Sequence, residues 1–491
     1  MVKDDGRNAR HGGLNRRTLL GGALALTLTP PIRAAARPVA ANAMVARLGT
    51  FLRNLEQQDD FAGTILLAQN GQAIFHQAYG MANREFRVRN RGDTRFNLAS
   101  IGKMFTAVAI MRLIESGRVA LSDRLVRHLP TYPNQAVAEG VTIEQLLTHR
   151  SGIGNFEEGH DRASSIPLDR LVDYLPLFAN DAPMFAPGAQ FGYSNAAYVV
   201  LGLVIEAATG EEYFDHIRRT IFAPLDMAGT DFLRLDISAS NVATGYLRAV
   251  EFPGQWQSNI LQLGRRGDPS GGSYSTAPDM LRFASALQRN QLLRPETTRQ
   301  MTMGRYPYSK GLYGYGVSEE MANGHRIYGH SGGHYGIADE LLIFEDLGIT
   351  AIILTNCDVD AYFAIANWLK RELVGETAST RAYWQSRAVI ETTIAGGQAA
   401  GRAAAAQSAE LREIVIALAG QKALHRGENA AGMALLLLNR ELFPQSSEAV
   451  LNLATAYRVT GDIGNARTAY ADYLVMEPED SEARQMLTRM Q

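Results

Sequence analysis

Apolar and polar residues alternate along GTILLAQNGQAIFHQAYG, residues 63–80, on both sides of Asn70-Gly71. A period of two predicts a pair of strands, and Asn-Gly supplies the positive φ angles of a tight hairpin turn. A second strand-rich cluster comes late. There Asn323-Gly324 separates YGYGVSEEM from HRIYGH, and the runs ADELLIF and GITAIILTN follow, with Gly348 between them. From 100 to 300 the pattern is mostly that of helices and loops. SIGKMFTAVAIMRLIESG, for example, keeps its apolar residues at helical spacing until Gly117. These patterns predict an α+β domain in which strands from both ends form one antiparallel sheet, with a helical region inserted between them.

The pattern changes again after about residue 375. Residues 376–410 (…TTIAGGQAAGRAAAAQSAE) shift to Ala, Thr and Gly and read as a linker or a poorly specified helix. Residues 411–491 then repeat: Gly427 and Gly461, Pro444 and Pro478, and Leu436 and Tyr470 are each 34 apart, the period of a tetratricopeptide helix pair. The second copy follows that pattern better than the first, which has Gly432 where Ala466 stands. An all-α repeat unit is predicted, packed against the main domain or offering a surface to a protein partner.

Composition narrows the picture. The 491 residues, 46% hydrophobic and 20% charged, suffice for two or more cores. A net charge of −2 without a basic stripe argues against nucleic acid as a partner. At the N-terminus, Arg16 and Arg17 precede LLGGALALTLTPPI, which is too short and too rich in Gly and Thr for a stable bilayer span. Residues 1–36 resemble an export signal of the twin-arginine type and predict a periplasmic or otherwise exported protein. The lone Cys357 lies in an apolar run and reads as a buried structural thiol.

GHSGG, residues 329–333, fits the G-x-S-x-G pattern of a nucleophile elbow. An elbow serine needs a helix behind it, whereas Ser331 is followed by a loop and two strand patterns. Downstream only His334 and His425 remain as bases, the first three residues away and the second in the repeats. A better nucleophile is Ser100, because Lys103 follows three residues later and shares its helical face. A neutral amine can take the hydroxyl proton. The chain has only five lysines among 48 basic residues (Lys3, Lys103, Lys310, Lys370 and Lys422), and only Lys103 has a serine three residues before it. Arginine cannot be deprotonated in a protein, so a lysine in an arginine-biased chain points to proton chemistry. Tyr193 and Asn195, two apart in an extended or turning segment, offer a hydroxyl for proton transfer and an orienting amide. His330, Ser331, Gly332 and Gly333 lie on a predicted strand edge, where missing side chains admit a substrate to the backbone.

SIGK, YSN and HSG, in that order, resemble the SxxK, YxN and KTG motifs of the serine β-lactamase and penicillin-binding-protein superfamily, in particular its class C β-lactamase-like branch. The stretches LLTHRSGIGNF, FAPGAQFGYSNAAYVVLG, IFAPLDMAGTDF and GGSYSTAPDMLRF agree, and the resemblance covers 44–375. It implies a β-lactamase/transpeptidase-like fold. It also implies Ser100 as the acylated nucleophile, Lys103 as its proton partner, Tyr193 as general acid and base, and Asn195 as orienter of lysine and substrate. The oxyanion hole would be the N–H groups of Ser100 and Gly333, with Ser331 and Gly332 at the substrate. One residue departs from the motifs: His330 replaces the lysine that helps hold a substrate carboxylate. Imidazole, with an ordinary pKa of about 6.5, is mostly neutral at pH 7. The resemblance therefore points to an esterase or a peptidase, such as a D-alanyl carboxypeptidase, more than to a true β-lactamase. Small ester, peptide or peptidoglycan-like substrates are implied, with no cofactor. A metal site at His330 and His334 is disfavoured by Gly332 and Gly333 between them. The alternative is an inactive binding protein of the same fold whose repeats recruit envelope partners.

Overall fold

Asn70 and Gly71 have φ angles of 52° and 81°, and they join β1 (Gly63–Gln69) to β2 (Gln72–Tyr79) as their sequence predicts. The computed structural model describes residues 38–156, 168–309, 311–357 and 359–490. The stretch 1–36 that resembles an export signal, the segment 157–167 and Lys310 lie outside the described residues. Six further strands come late in the chain: β3 (Tyr306–Tyr308), β4 (Gly311–Tyr313), β5 (Ser318–Ala322), β6 (His325–His334), β7 (Ile337–Phe344) and β8 (Ile349–Thr355). They form one eight-stranded sheet in the order β2-β1-β8-β7-β6-β5-β4-β3, with antiparallel neighbours throughout. Strands from the two ends of the domain meet inside the sheet. β1 lies on β8 from Gly63 opposite Thr355 to Gln69 opposite Ile349.

Strand alternation divides the core between the two faces. Leu66, Leu341, Ile343 and Ile352 pack against Met104 and Phe105 of α2 (Lys103–Glu115) and Tyr198 of α3 (Asn195–Thr209) in the inserted region. Ile65, Leu67, Leu342, Phe344 and Ile353 pack the other way, against Leu48 and Leu52 of α1 (Pro38–Gln57) and Ile365 and Leu369 of α4 (Val359–Val374). Helices on both sides explain why β7 and β8 are buried throughout and carry few polar residues. Cys357 is buried, and its Sγ accepts the Ala62 N–H at 3.3 Å.

The Ala-rich stretch read as a linker carries α5 (Ala378–Ala405). Thr377 caps it in a reciprocal box with Thr380, alanine favours the helix, and Gly397 at φ 77° kinks it. A helical array follows: α6 (Glu413–His425), α7 (Asn429–Leu442), α8 (Ser447–Val459), α9 (Ile463–Met476) and α10 (Ser481–Arg489). This array clasps the short hairpin formed by Tyr246–Arg248 and Trp256–Ser258. The Gly254 N–H donates to the His425 carbonyl at 2.6 Å, Arg458 pairs with Glu251 at 2.7 Å, and Val250 packs with Leu424 and Leu453. Lys422 reaches under the hairpin to Asp60 at 3.1 Å and Asp360 at 2.6 Å, and Arg248 adds a second cation to Asp60 at 2.9 Å.

Candidate active site

Ser100 lies in the 3₁₀ turn Ala99–Gly102, which runs directly into α2 at Lys103. The three-residue spacing therefore brings the two side chains together through a tight turn rather than within one regular helix. Lys103 is fully buried, with Nζ 3.1 Å from Ser100 Oγ. It also donates to Asn195 Oδ1 at 2.6 Å and to the Ser270 carbonyl at 2.7 Å. These partners are neutral. Just before Ser100, Ala99 has a left-handed φ of 40°, and its N–H is held by Asn97 Oδ1 at 2.9 Å. A β-carbon in that region costs about 1 kcal/mol, so the turn carries local strain at the nucleophile.

The second motif is fixed by a helix cap. Ser194 Oγ accepts the Ala197 N–H at 3.0 Å and donates to the Gly154 carbonyl at 2.8 Å, so Asn195 becomes the first residue of α3. The Asn195 N–H in turn donates to Asn155 Oδ1 at 2.6 Å. The sequence expectation of an extended segment through Asn195 ends one residue early. Tyr193, 38% exposed, projects at the mouth of the site, its ring centroid 4.8 Å from Lys103 Nζ and 4.2 Å from the His149 ring.

The third motif occupies the end of β6. Residues 318–322 of β5 pair with β6 only as far as Gly329, so the HSGG stretch extends beyond that partner. A β-carbon on Gly332 would lie 2.3 Å from the Leu98 carbonyl oxygen, whereas Gly333 faces open space. Glycine thus lets the strand close on the turn that carries Ser100. His330 and Ser331 lie on opposite faces of β6: His330 is opposite Leu341, on the side of the inserted helices, and Ser331 is opposite Glu340, whose carboxylate meets Tyr362 of α4. Opposite Gly332, Asp339 is fully buried, with its carboxyl pushed well above the usual range by burial.

His330 is 4% exposed, and its imidazole belongs to a hydrogen-bonded series whose proton positions can be assigned. The Ser194 N–H donates to His149 Nδ1 at 3.1 Å, so the proton of His149 is on Nε2, 3.1 Å from Tyr313 Oη. The Tyr313 hydroxyl then donates to His330 Nε2 at 2.8 Å, and His330 Nδ1–H donates to the Ser331 carbonyl at 2.6 Å. The series runs from the second motif to the third. Burial, and then the neighbouring Lys103, hold His149 well below the usual histidine range, and burial pushes Tyr313 well above the usual tyrosine range. Both stay neutral near pH 7.

The structure therefore gathers Ser100, Lys103, Asn195 and Tyr193, sets Gly332 and Gly333 beside them, and buries His330 on the same face of β6, beneath Tyr313 and His149. Sequence reasoning missed His149, Tyr313 and Ser270. LLTHRSG, which holds His149, carried weight only as flanking text, Tyr313 opened a strand pattern, Ser270 fell just before the flanking stretch GGSYS, and no local periodicity marks a residue that acts by closing on a distant one. A cleft of about 600 Å3 opens beside Ser100, walled by Phe156, Tyr174, Leu261, Arg266, Gly271 and Tyr335 among others.

Comparison with known proteins identifies the family and the fold. The Beta-lactamase family profile matches residues 50–375. A penicillin-binding protein of Bacillus subtilis is 30% identical over 335 residues, 64% of this chain and 72% of that protein. The crystal structure of a penicillin binding protein from Bacillus halodurans superposes with a TM-score of 0.59 at 30% identity, covering 65% of this chain and 98% of that one. A D-amino acid amidase from Ochrobactrum anthropi shares the fold, with a TM-score of 0.56 at 23% identity over 68% of this chain and 98% of its own.

Proposed function

The chain belongs to the Beta-lactamase family of serine hydrolases, and on that premise we propose that it is an exported acyl-transfer hydrolase of amide, peptide or ester bonds, with Ser100 as nucleophile. The observation that carries this reading is the setting of Lys103. Two of its hydrogen bonds go to carbonyl oxygens, Asn195 Oδ1 and Ser270 O, which can only accept. A neutral amine spends both N–H groups on them and turns its lone pair to Ser100, whose hydroxyl then donates across the 3.1 Å contact. That is the resting state of a general base.

In the proposed reaction Lys103 takes the Ser100 proton as Oγ attacks the carbonyl carbon. The N–H groups of Ser100 and Gly333 hold the resulting oxyanion. Tyr193, at the mouth, passes the proton to the leaving group, and water later reverses the path to release the acid. His330 acts in this scheme through Tyr313 and the Ser331 carbonyl, as a positioning residue for the strand that supplies Gly333. The fold similarity to a D-amino acid amidase supports amide and peptide substrates. The helices from 413 onward recur at the interval of the sequence repeat, and we assign them as tetratricopeptide-like.

Reaction with a fluorophosphonate or a labelled penicillin, followed by peptide mapping, tests the reading. Label on Ser100 is expected; a chain inert to both reagents, or labelled on Ser331, overturns it. Turnover of p-nitrophenyl esters, D-amino acid amides and nitrocefin then ranks the substrate classes, with amides and esters expected above nitrocefin.

A further inference from the structure

The cleft beside Ser100 is lined by a guanidinium, that of Arg266, which makes no ion pair among the described residues. Arg218 and Arg234 lie near it, Arg265 precedes it in sequence, and these three are paired. Arg234 and Arg265 share Asp236 at 2.7 and 2.5 Å, Arg265 also takes Asp169 at 2.9 Å, and Arg218 holds Asp215 and Asp231 at 2.7 Å each. Arg266 is different. Among the described residues it makes no ion pair, and its buried Nε has no hydrogen-bond partner. Its guanidinium instead lies 3.5 Å from the centroid of the Phe214 ring. Stacking satisfies one face of the group and leaves its N–H edge unmatched. Burial, and then repulsion from Arg218, disfavour its charged form, although an arginine does not give up its proton at any ordinary pH. An unmatched guanidinium in a cleft is stabilised by an anion that fits its fork, and a carboxylate does so with two parallel hydrogen bonds.

Its position relative to the nucleophile is fixed by the chain. Arg266 enters the turn Asp268–Gly271, whose ends exchange backbone hydrogen bonds at 2.8 and 3.0 Å. The Pro269 carbonyl accepts the Thr106 hydroxyl at 2.6 Å and the Ser270 carbonyl accepts Lys103 at 2.7 Å, so α2 holds this turn from below. Asp268, the acid nearest in sequence, has Oδ1 engaged by the Ser270 N–H at 2.6 Å within the turn.

We propose that Arg266 is an anion-binding residue of the Ser100 cleft and that the substrate carries a carboxylate which pairs with its guanidinium. This rests on the reading of Ser100 as the acylated residue. The test compares kcat/KM for p-nitrophenyl hemiglutarate and p-nitrophenyl valerate, at low and high salt, in the wild type, Arg266→Gln and Arg266→Met. Methionine keeps an apolar stem over Phe214, so it serves if the glutamine variant fails to fold. Expected is a fall of about tenfold or more in the preference for the anionic ester, with loss of its salt dependence. A preference within about twofold of wild type in a variant that still labels at Ser100 overturns the assignment. Calorimetric titration with glutarate requires no turnover and separates the two readings. Glutarate binding that weakens in the variants supports Arg266 even if Ser100 proves inert, and equal binding in all three proteins overturns it even if Ser100 is labelled.

Discussion

Two lysines of this chain leave solvent in opposite ways. Lys103, at the nucleophile, is enclosed by a hydroxyl, an amide oxygen and a backbone carbonyl, at 3.1, 2.6 and 2.7 Å. Lys422, between the helical array and the catalytic domain, meets two carboxylates, Asp60 and Asp360. Burial disfavours an ammonium in both places. Lys422 is a fastener between carboxylates; these three partners of Lys103 are neutral acceptors, which is the setting the proposed base needs. The same side chain is a strut in one region and a proposed base in the other, and the neighbours make the difference.

Removing the base's partner has the largest expected effect. Ser100→Ala should lower turnover by about 10³-fold or more and abolish covalent labelling, while Ser331→Ala retains the label. Active-site titration checks both. Arginine then separates the two lysines. Lys103→Arg should be nearly as damaging as Lys103→Ala, because a guanidinium cannot accept the hydroxyl proton, whereas Lys422→Arg keeps its ion pairs and most of its activity. Equal tolerance at the two sites in a kcat assay would dissolve the distinction.

Lys422→Met removes the paired cation from buried Asp360, while Arg248 and Arg426 still hold Asp60, and should cost about 3 kcal/mol of stability, read from denaturant unfolding. The effect depends on pH with a definite sign. Burial, the largest influence, would raise the Asp360 carboxyl, but Lys422 together with Arg387 and Arg248 holds that carboxyl below the usual range. The unfolded chain then binds the proton first, so this stabilisation is present above about pH 4 and is lost as the pH falls below it. Thermal melts of wild type and Lys422→Met should converge in acid. Convergence toward alkaline pH instead would give the stabilisation to another group.

The smallest effect concerns the hydrogen-bonded series behind β6. Tyr313→Phe should cost about 1 to 3 kcal/mol, because it strands His149 Nε2–H and His330 Nε2 in a buried site. Here too the sign is fixed. His149 is held well below its ordinary value, so the unfolded state takes up its proton first, and stability should begin to fall as the pH drops below about 6.5. His149→Gln should flatten that part of the melting curve.

Local rules made much of this protein legible. Asn70-Gly71 and Asn323-Gly324 specify their turns because few other residues accept those φ angles. Alternation set the strands, and the three-residue spacing of Ser100 and Lys103 brought them together without knowledge of any neighbour. The Ala-rich stretch behaved otherwise. It read as a linker, and its helix is set by the Thr377 cap and by packing of Tyr383 and Ile390 against the array. Only the tertiary structure decided that Ser270 would hold Lys103 from 167 positions away, that Tyr313 would join His149 to His330, and that Asp60 would meet Lys422 across 362 positions. Periodicity reports which face of an element is buried. The charge state of a buried group depends on which atoms meet it there, and those atoms come from distant parts of the chain that no local pattern connects.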